Sequence, residues 1–534
     1  MSAKVSRGGV RSIVRGKWHA GAWLGAASLA AGVAHPAEDE APGDVVEGIG
    51  KRLENGLGTR YTAPLLETPQ TITLVPREIM DQQNLLTMRE VLSTLPGITF
   101  TAGEGGGGYG DGVNLRGYTA SSDISTDGVR DSAQYSRTDP FNLEQLELVS
   151  GANSVYTGAG SVGGSINLVT KRPTGMAGTV LDFAGGGDSY ARFTLDSESQ
   201  VGDAANVRLN VMAHRNDVPG RDVERYERWG IAPSVELGGG STRVTLSYLR
   251  QEDDNIPQYG VPYALGPYND GPLPGVPTTA YYGYSNVDAQ EIGVDAFTTI
   301  VDHDLKNGFS LRNLTRWQQV DQFTFANQPQ GTWCVETGVN PWTGAACAAP
   351  GTFVPNRSGT VRDTTNEIVV NQTDFTLELA TGGVEHTLVT GFSLSEETYH
   401  RDNGSGLRNP LGELPNPVLP PMSIANPDHV YTGPVNIVVT QRADGEVDNR
   451  AAYVFDRVQL TERFEVNAGL RYESNDAFSR LANIQTPYPA PPAEPVVVQN
   501  PDARNVDHLG SYRVGFVFKP SDSSSIYVAQ GNSE

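Results

Sequence analysis

The sequence predicts a mainly β protein in which a small mixed α/β domain precedes an antiparallel β-barrel that crosses a membrane. Three observations predict this fold class: the chain starts with an export signal, its last two thirds contain runs of alternating apolar and polar residues, and short turns alternate with long loops between these runs. A soluble β-sandwich would explain the alternation equally well. The export signal and the regular asymmetry between turns and loops favour the barrel.

Residues 1–34 form a predicted secretory signal peptide. Five Lys and Arg residues precede a stretch rich in Ala, Leu and Gly at 20–34, and three acidic residues follow at 38–40. A basic front, a short apolar middle and small residues before a cleavage site, here at Ala34 or Ala37, are typical of such signals. A buried helix is the alternative, but the abrupt acidic exit favours export.

The composition disfavours nucleic acid as a partner and a helix as the membrane-spanning segment. The 534 residues carry a formal charge of −23, and 38% of them are hydrophobic. After the signal, no apolar run approaches the ~20 residues that a membrane-spanning helix needs, whereas barrel strands need only ~9–11 alternating residues. Nucleic acid is not an expected partner, because phosphate binding requires clustered Lys and Arg.

The α/β domain is predicted at residues 60–175. Before it, residues 35–59 are acidic, rich in Gly and without apolar periodicity, which predicts an extended arm. The domain opens with a strand at 71–75, and a helix follows at 76–95, where a Pro-Gly pair ends it. Further strands are predicted at 113–115, 146–149 and 165–169.

The barrel is predicted at residues 176–534. Its clearest run is 464–473, in which Phe, Val, Ala, Leu and Tyr alternate with mostly polar residues, so that the two faces of the strand meet different environments. About thirteen such runs occur, near Val180, Arg192, Leu209, Val235, Val244, Phe297, Leu311, Val369, Leu388, Tyr453, Leu470, Val514 and Ile526. Long loops, which often carry function, are predicted at 253–285, 327–360, 403–440 and 477–506.

Two short motifs are better explained as turns than as binding sites. The stretch 158–163 fits a dinucleotide-binding fingerprint, but a strand rather than a helix follows it. Asp123, Ser125 and Asp127 match the start of a calcium-binding loop, yet Gln134 stands where the bidentate Glu belongs. The sequence contains neither Gly-x-Ser-x-Gly nor His-Glu-x-x-His, so we expect no catalytic residues, no metal site and no enzyme activity.

Cys334 and Cys347 are the only cysteines. In an exported protein, a single pair of cysteines predicts a disulfide, which here would close a loop. A metal site is the alternative. It lacks support, because no second cysteine pair or nearby His completes a ligand set.

The segment 68–173 contains a series of phrases in a characteristic order. They are TPQTITLVPREIM, VLSTLPGITF, VNLRGY, STDGVRD and FNLEQLELVSGANSVYTGAGSVGGSINLVTKRP. In this order they resemble the plug domain of TonB-dependent siderophore receptors. The phrases VEHTLVTGFSL at 384–394 and YVFDRVQLTERFEVNAGLRYE at 453–473 are similar to strand pairs of the same family. The phrase TFTAGEGG at 99–106 most resembles the branch that takes catecholate siderophores.

The resemblance implies a monomeric outer-membrane receptor of a Gram-negative bacterium. Such receptors import a ferric siderophore, which is cargo and not a cofactor, with energy delivered by TonB together with ExbB and ExbD. Outer-membrane lipid would surround the barrel. Rival cargoes within this class are haem, cobalamin and a nickel complex. Rivals of a different class are an outer-membrane barrel enzyme such as an esterase and a structural adhesin.

The resemblance also implies three sets of site residues. Ligand contacts are expected at the plug apices, where aromatic faces and Arg suit an anionic aromatic complex: Tyr109, Arg130, Tyr135 and Arg137. The TonB box, which would pair with a strand of TonB, is expected at Asp44, Val45, Val46, Glu47 and Gly48, although an ordinary linker explains this stretch as well. Charged contacts between plug and barrel are expected at Arg116, Glu144 and Glu147.

The strand count differs from what the resemblance implies. Members of the family have 22 strands and end on an aromatic residue, whereas this sequence shows about 13 runs and ends at Glu534. We therefore expect an incomplete barrel. Unpaired strand edges in hydrocarbon are unfavourable, so we expect that the chain expressed as it stands does not close into a barrel.

Overall fold

The computed structural model of the chain describes residues 58, 60–102, 109–120, 123–130, 139–158, 160, 162–356, 359–485 and 496–533. The predicted signal peptide and nearly all of the predicted arm lie outside these residues. Within them, none of the helices is long and apolar enough to cross a membrane.

The plug domain, residues 60–175, contains eight short strands and three short α-helices. The strands are β1 (Thr71–Pro76), β2 (Ile98–Ala102), β3 (Tyr109–Leu115), β4 (Tyr118–Thr119), β5 (Ile124–Thr126), β6 (Val129–Arg130), β7 (Leu143–Ser150) and β8 (Gly164–Thr170). The helices are α1 (Arg77–Gln82), α2 (Met88–Ser93) and α3 (Ser154–Thr157), with 3-10 turns at Leu65–Glu67 and Pro140–Asn142.

The plug has two sheets and a hydrophobic core of its own. Five strands pair in the order β1-β7-β8-β5-β6, and a second sheet has the order β2-β3-β4. The core is one cluster of buried side chains that all come from the plug: Val75, Met80, Val91, Leu92, Leu95, Val113, Leu115, Ala120, Ile124, Leu143, Leu146, Leu148, Ile166 and Leu168. Because this core includes no barrel residue, the plug is a hydrophobic unit of its own within the chain.

The single helix predicted at 76–95 is wrong, since two helices with a break between them occupy this stretch. The first ends before Asn84, which adopts a left-handed backbone with φ of 52°. The second begins with a capping box, in which Thr87 and Glu90 bond to each other's backbone N–H groups. The apolar spacing continues through the break because Leu85 packs on the same core, so periodicity alone does not reveal the interruption.

The rest of the chain forms a long antiparallel sheet with small strands in its loops. The strands are β9 (Gly178–Gly185), β10 (Ala191–Val201), β11 (Ala205–Asp217), β12 (Arg225–Gly239), β13 (Thr242–Asn255), β14 (Tyr263–Ala264), β15 (Gly271–Pro272), β16 (Ala289–Lys306), β17 (Phe309–Ala326), β18 (Gly331–Cys334), β19 (Thr352–Pro355), β20 (Thr360–Thr381), β21 (Val384–Ser405), β22 (Met422–Ser423), β23 (Val438–Thr461), β24 (Phe464–Gln485), β25 (Val496–Gln499), β26 (Ala503–Ser521) and β27 (Ser524–Gly531).

Thirteen of these strands form one continuous meander in the order β27-β26-β24-β23-β21-β20-β17-β16-β13-β12-β11-β10-β9, and β25 pairs with β24 beside it. Each of the thirteen predicted runs lies in one strand of this meander, so the predicted fold class, a plug followed by an incomplete barrel, is confirmed. In the described residues β9 and β27 are the two ends of the sheet, and the barrel is not closed.

The loop predicted at 477–506 is wrong for most of its length. Strand β24 continues to Gln485, β26 begins at Ala503, and Ala477 pairs with Asn505. In β24, burial alternates strictly from Phe464 to Glu473 and then stops. From residue 474 onward, both faces of the strand are partly exposed. Apolar and polar residues therefore need not alternate, and the pattern that identifies a strand is absent.

The other three predicted loops pack together into a structure that we call the loop cap, residues 256–288, 327–356, 359 and 406–437. It contains the strand pair β14-β15, the sheet β18-β19-β22 and a buried aromatic cluster that includes Trp333 stacked on Phe353 with ring centroids 4.0 Å apart. Cys334 and Cys347 form a disulfide in it, with a Cα–Cα distance of 5.8 Å.

Candidate functional site

The plug packs against the inner face of the sheet, and this interface is the most elaborate polar structure in the described part of the chain. Alternation fixes which side chains of each strand reach it, because successive residues of a strand point to opposite faces. Three plug carboxylates, on Asp139, Asp127 and Glu67, each contact two basic residues.

Asp139 lies at the start of the 3-10 turn Pro140–Asn142, and its side chain is fully buried. Arg192 of β10 donates to both carboxylate oxygens, at 2.8 and 3.0 Å, and Arg228 Nε of β12 lies 2.9 Å from Oδ2. Burial alone would raise the pKa of Asp139, but the two guanidinium groups and the Phe141 N–H hold it below its usual range. The carboxylate is therefore ionised, and it fixes the plug to two strands.

Asp127 forms a second ionic contact at the turn between β5 and β6. Arg316 Nη2 of β17 lies 2.7 Å from its Oδ2, and Arg172 Nη2 lies 3.0 Å from Oδ1. Arg316 also donates to the carbonyl of Thr126 at 2.7 Å. Although burial raises the pKa of Asp127, these two cations and the bonds from Thr170 more than offset it, and the pKa lies well below its usual range.

Glu67 forms the third contact, on the opposite part of the sheet. Its carboxylate accepts hydrogen bonds from Arg457 of β23 and, at 2.8 Å, from Lys519 of β26. Both cations also pair with Glu465 of β24, at 2.8 and 2.6 Å. The result is a cluster of two positive and two negative charges in which the plug contributes one carboxylate.

An aromatic stack adds an apolar contact near the N-terminal end of the plug. The rings of Tyr61, Tyr156 and Phe455 lie parallel, with successive centroids 4.6 and 4.8 Å apart. The Arg60 guanidinium lies 4.7 Å from the centre of the Tyr453 ring and donates to the carbonyl of Tyr156. Two of these rings belong to the plug and two to β23, so the stack joins the two parts of the chain.

Glycines of the wall permit close approach of the plug. A Cβ on Gly230 of β12 would lie 2.7 Å from the ring of Phe141, and a Cβ on Gly515 of β26 would lie 2.4 Å from Pro69. Real Cβ atoms do not approach so closely. Glycine at these two positions therefore allows the plug to pack directly on the backbone of the strands.

The three residues predicted as plug–barrel contacts lie in three different surroundings. Glu144 Oε2 lies 3.9 Å from Arg208 of β11. Glu147 lies inside the plug, where Gln145 and Asn167 donate to it, so it does not face the wall as expected. Arg116 lies exposed in the turn after β3, and its backbone N–H donates to the carbonyl of Gly97 within the plug, so a contact of its side chain with the barrel stays a prediction.

The predicted ligand residues are only partly within the described chain. Tyr109 is the first residue of β3, and Arg130 is the exposed last residue of β6. Tyr135 and Arg137 lie outside the described residues, as do all five residues of the predicted TonB box, Asp44, Val45, Val46, Glu47 and Gly48.

Asp127, Asp139 and Glu67 are contact residues that the sequence does not predict. The sequence predicts Asp127 as a turn residue, and it does occupy a left-handed turn with φ of 53°. A signal for Asp139 existed, since Asp before Pro starts a helical turn and fixes the carboxylate in place. Nothing local marks Glu67, because its partners are 390 and 452 positions away.

Comparison with known proteins agrees with this architecture. The family model "TonB-dependent Receptor Plug Domain" matches residues 64–165, and the model "TonB dependent receptor-like, beta-barrel" matches residues 228–533. The probable TonB-dependent receptor BfrD of Bordetella pertussis is 32% identical over 493 residues, which cover 90% of this chain and 63% of BfrD. The catecholate siderophore receptor Fiu of Escherichia coli K12 is 30% identical, with 88% of this chain and 62% of Fiu covered.

Solved structures show the same arrangement. The open form of Fiu from E. coli K12 matches 90% of this chain and 72% of its own with a TM-score of 0.77 and 26% identity. The siderophore receptor PiuA of Acinetobacter baumannii matches 90% of this chain and 66% of its own with the same TM-score and 26% identity. The chain spans less than two thirds of the length of BfrD and Fiu. Since the barrel model alone matches more than half of the 534 residues and the plug model matches the domain that packs inside the sheet, the chain belongs to the TonB-dependent receptor family.

Proposed function

We propose that this protein imports ferric siderophores across the outer membrane of a Gram-negative bacterium, with energy supplied through TonB. The observation that carries the proposal is a plug with its own core that contacts the inner wall through three ionic clusters, at Asp139, Asp127 and Glu67, and through small apolar clusters. When these contacts part, the charged groups are solvated and the main core stays inside the plug.

The mechanism follows from this arrangement. A ferric siderophore binds from outside at the plug apex, where Arg130 is exposed and Tyr109, Tyr135 and Arg137 are further candidate contacts. TonB, with ExbB and ExbD, pairs with the arm at residues 44–48 and pulls on the chain before residue 60. The pull breaks the contacts of the plug with the wall, and the cargo passes.

A catecholate is the favoured cargo class. Fiu is described as a catecholate siderophore receptor and PiuA as a probable siderophore receptor. A ferric catecholate is anionic and aromatic, which suits contacts by Tyr and Arg. Haem, cobalamin and nickel complexes are the alternative cargoes.

The test is uptake of radiolabelled iron by a host that lacks its own catecholate receptors and expresses this sequence within a receptor of full family length. We expect uptake from the ferric catecholate, and binding without uptake in a host lacking TonB. Val46→Pro should abolish uptake and leave binding intact, because Pro cannot donate a strand hydrogen bond. Val46→Thr, which keeps a strand-forming residue, is the matched control.

Three outcomes would contradict the proposal. Uptake of haem or cobalamin with none from the catecholate would overturn the cargo class. Normal uptake by the Val46→Pro variant would remove residues 44–48 from the TonB contact. If the protein hydrolyses generic ester substrates and a single Ser substitution abolishes this hydrolysis, the protein is an enzyme and not a receptor.

A further inference from the structure

The apolar stretch on the outer face of β24 ends at Tyr472. Leu470 and Tyr472 are 59% and 58% exposed, whereas Arg471 between them is buried against the plug, so the even-numbered residues point outward here. These outward residues are apolar or aromatic from Phe464 to Tyr472, and Ser474 is the first polar one. The loop cap leads into the end of β23 that pairs with residues beyond Ser474. Under the proposed function, the apolar band therefore meets the headgroups of the outer leaflet at this level.

A groove of about 500 Å³ lies in the outer face just below this level. Ala452, Tyr472 and Gly510 are opposite one another on three neighbouring strands, and the two small residues leave a depression on each side of the ring. A Cβ on Gly510 would meet nothing within 4 Å. The outward residues that line the groove are Ala452, Val454, Leu470, Tyr472, Gly510 and Tyr512. All of them are apolar or aromatic, so the groove suits an acyl chain.

Three polar side chains form a row directly above the groove. Arg450 of β23 is opposite Ser474 of β24, which in turn is opposite His508 of β26. Neighbouring strands are about 4.8 Å apart, so the row spans roughly 10 Å. The next outward carboxylates along these strands, Asp448 and Asp476, lie one row farther from the groove, and the second of them already forms an ion pair. Arg450 is exposed, and it makes no hydrogen bond or ion pair with any residue that the structure describes.

Other parts of the outer face satisfy their donors with carboxylates of the protein. Trp229 Nε1 of β12 donates to Glu252 at 3.1 Å, and Trp317 Nε1 of β17 donates to Glu367 at 2.7 Å. Arg250 also pairs with Glu252. An anion would be repelled by such carboxylates, whereas the guanidinium of Arg450 is open to one.

We propose that this surface binds a phosphorylated lipid of the outer leaflet, with an acyl chain in the groove and the phosphate on Arg450, Ser474 and His508. This inference rests on the outer-membrane location in the proposed function and does not depend on the cargo. A guanidinium can donate two parallel hydrogen bonds to phosphate oxygens. The hydroxyl and the ring N–H on the neighbouring strands can reach the remaining oxygen.

The number of donors favours one kind of phosphate. A monoester has three terminal oxygens and carries more negative charge than a diester, so it makes fuller use of three donors in a row. The ligand is therefore a lipid with a phosphate monoester and not a phospholipid with a diester headgroup. An arginine at the headgroup level is also tolerated there, because the cost of a lipid-facing charge falls towards zero near the interface.

The site is tested by lipid retention on the purified receptor, with this sequence at full family length, measured by mass spectrometry. The probes are lipid A, the same lipid A after dephosphorylation, and phosphatidylglycerol, which is a diester. We expect lipid A to bind about tenfold more tightly than the other two. Arg450→Gln should remove this difference, and Arg450→Lys, which keeps the charge without the two parallel bonds, should keep part of it.

The groove is tested with Gly510→Leu, whose side chain occupies the open space beside Tyr472. Because it competes with the acyl chain and not with the phosphate, it should weaken the binding of all three lipids by a similar factor. Arg480→Gln is the control for Arg450→Gln. It removes an exposed arginine of the same outer face that already pairs with Asp502, and it should leave retention unchanged.

Each part of the proposal can fail separately. Equal binding of lipid A before and after dephosphorylation, or an Arg450→Gln variant that keeps the preference, would overturn the headgroup site. Equally tight binding of phosphatidylglycerol would overturn the choice of a monoester. Unchanged binding by Gly510→Leu would overturn the groove as the acyl site. Iron uptake is measured separately, so a receptor that retains lipid A but imports no ferric catecholate would contradict the proposed cargo and leave the lipid site standing.

Discussion

Asp139 is the residue whose loss should affect the seating of the plug most. In Asp139→Asn one acceptor oxygen is replaced by an NH2 donor that faces a guanidinium, and Arg192 and Arg228 are left without a counter-charge in a buried site. Breaking a buried pair in this way costs about 3–5 kcal/mol. We expect the plug of this variant to become accessible to protease at a lower denaturant concentration than that of the unmodified protein.

The control for this variant is Asp182→Asn, which changes an exposed residue of β9. It should leave the protease profile unchanged. An Asp139→Asn variant that resists protease as well as the unmodified protein would show that the ion pairs do not hold the plug.

Glu147 should make the stability of the plug depend on pH. Burial raises the pKa of its carboxyl from 4.5 to about 7, despite the hydrogen bonds from Asn167 and Gln145. Because the folded state binds the proton more tightly than the unfolded state, the free energy of unfolding should fall as pH rises from about 4.5 to about 7 and be level above that. The total change is about 3 kcal/mol.

Glu147→Gln removes the titrating group, so denaturant unfolding of the plug should lose this pH dependence. Glu144→Gln, a neighbouring carboxyl that is partly exposed, serves as the control and should keep it. A slope that persists in Glu147→Gln would assign the pH dependence to another group.

At the residue scale, the sequence predicts the type of contact between plug and wall better than the residues that make it. It indicated that plug carboxylates would meet basic residues of the wall, but it selected Glu147, which is buried in the plug, instead of Asp139 and Asp127. The distinction depends on which face of β7 meets the wall and on turns that place a carboxylate at the plug surface. Neither is encoded locally, because both faces of β7 are mostly buried.

At the scale of elements, the close contact of β12 with the plug gives a further test. Gly230→Ala places a Cβ 2.7 Å from the Phe141 ring, so either the ring or the strand must shift. Overpacking of this kind costs about 1–3 kcal/mol. We expect the plug of this variant to be released at lower denaturant, measured by the fluorescence of a probe attached to the plug.

Gly239→Ala lies on the same strand, and its Cβ would meet nothing within 4 Å. It is the matched control and should change stability by less than about 0.5 kcal/mol. Equal effects of the two substitutions would mean that backbone freedom, and not the contact with Phe141, determines the outcome.

The predicted strands were correct where their two faces differ, and the predictions failed where the faces are alike. Residues 464–473 separate the plug from the outer surface, so their alternation is strict and the strand is evident from the sequence. Residues 477–485 are equally well paired but partly exposed on both faces, and the sequence predicts a loop there. The backbone hydrogen bonds of the sheet continue through these residues, and they place no requirement on the polarity of the side chains.

At the scale of the whole molecule, the strands are longer than a bilayer requires. Strand β23 has 24 residues and β20, β21 and β24 have 22 each. At about 3.3 Å per residue and a tilt of about 40°, the longest rises roughly 60 Å, whereas the apolar band of an outer-membrane barrel is about 25 Å tall. The upper part of the sheet extends beyond the height of such a band, and its ion pairs Arg442–Asp402, Arg480–Asp502 and Arg504–Asp476 are largely exposed.

This upper sheet acts as a stalk beneath the loop cap. Exposed ion pairs between neighbouring strands stabilise it, and dissolved salt screens such pairs, whereas the lower part of the sheet packs on the plug through buried ion pairs that salt screens much less. Stiffness of the stalk should therefore vary with the ionic strength of the surroundings. At higher ionic strength the contacts between plug and wall would persist while the loop cap rests on a more pliant support.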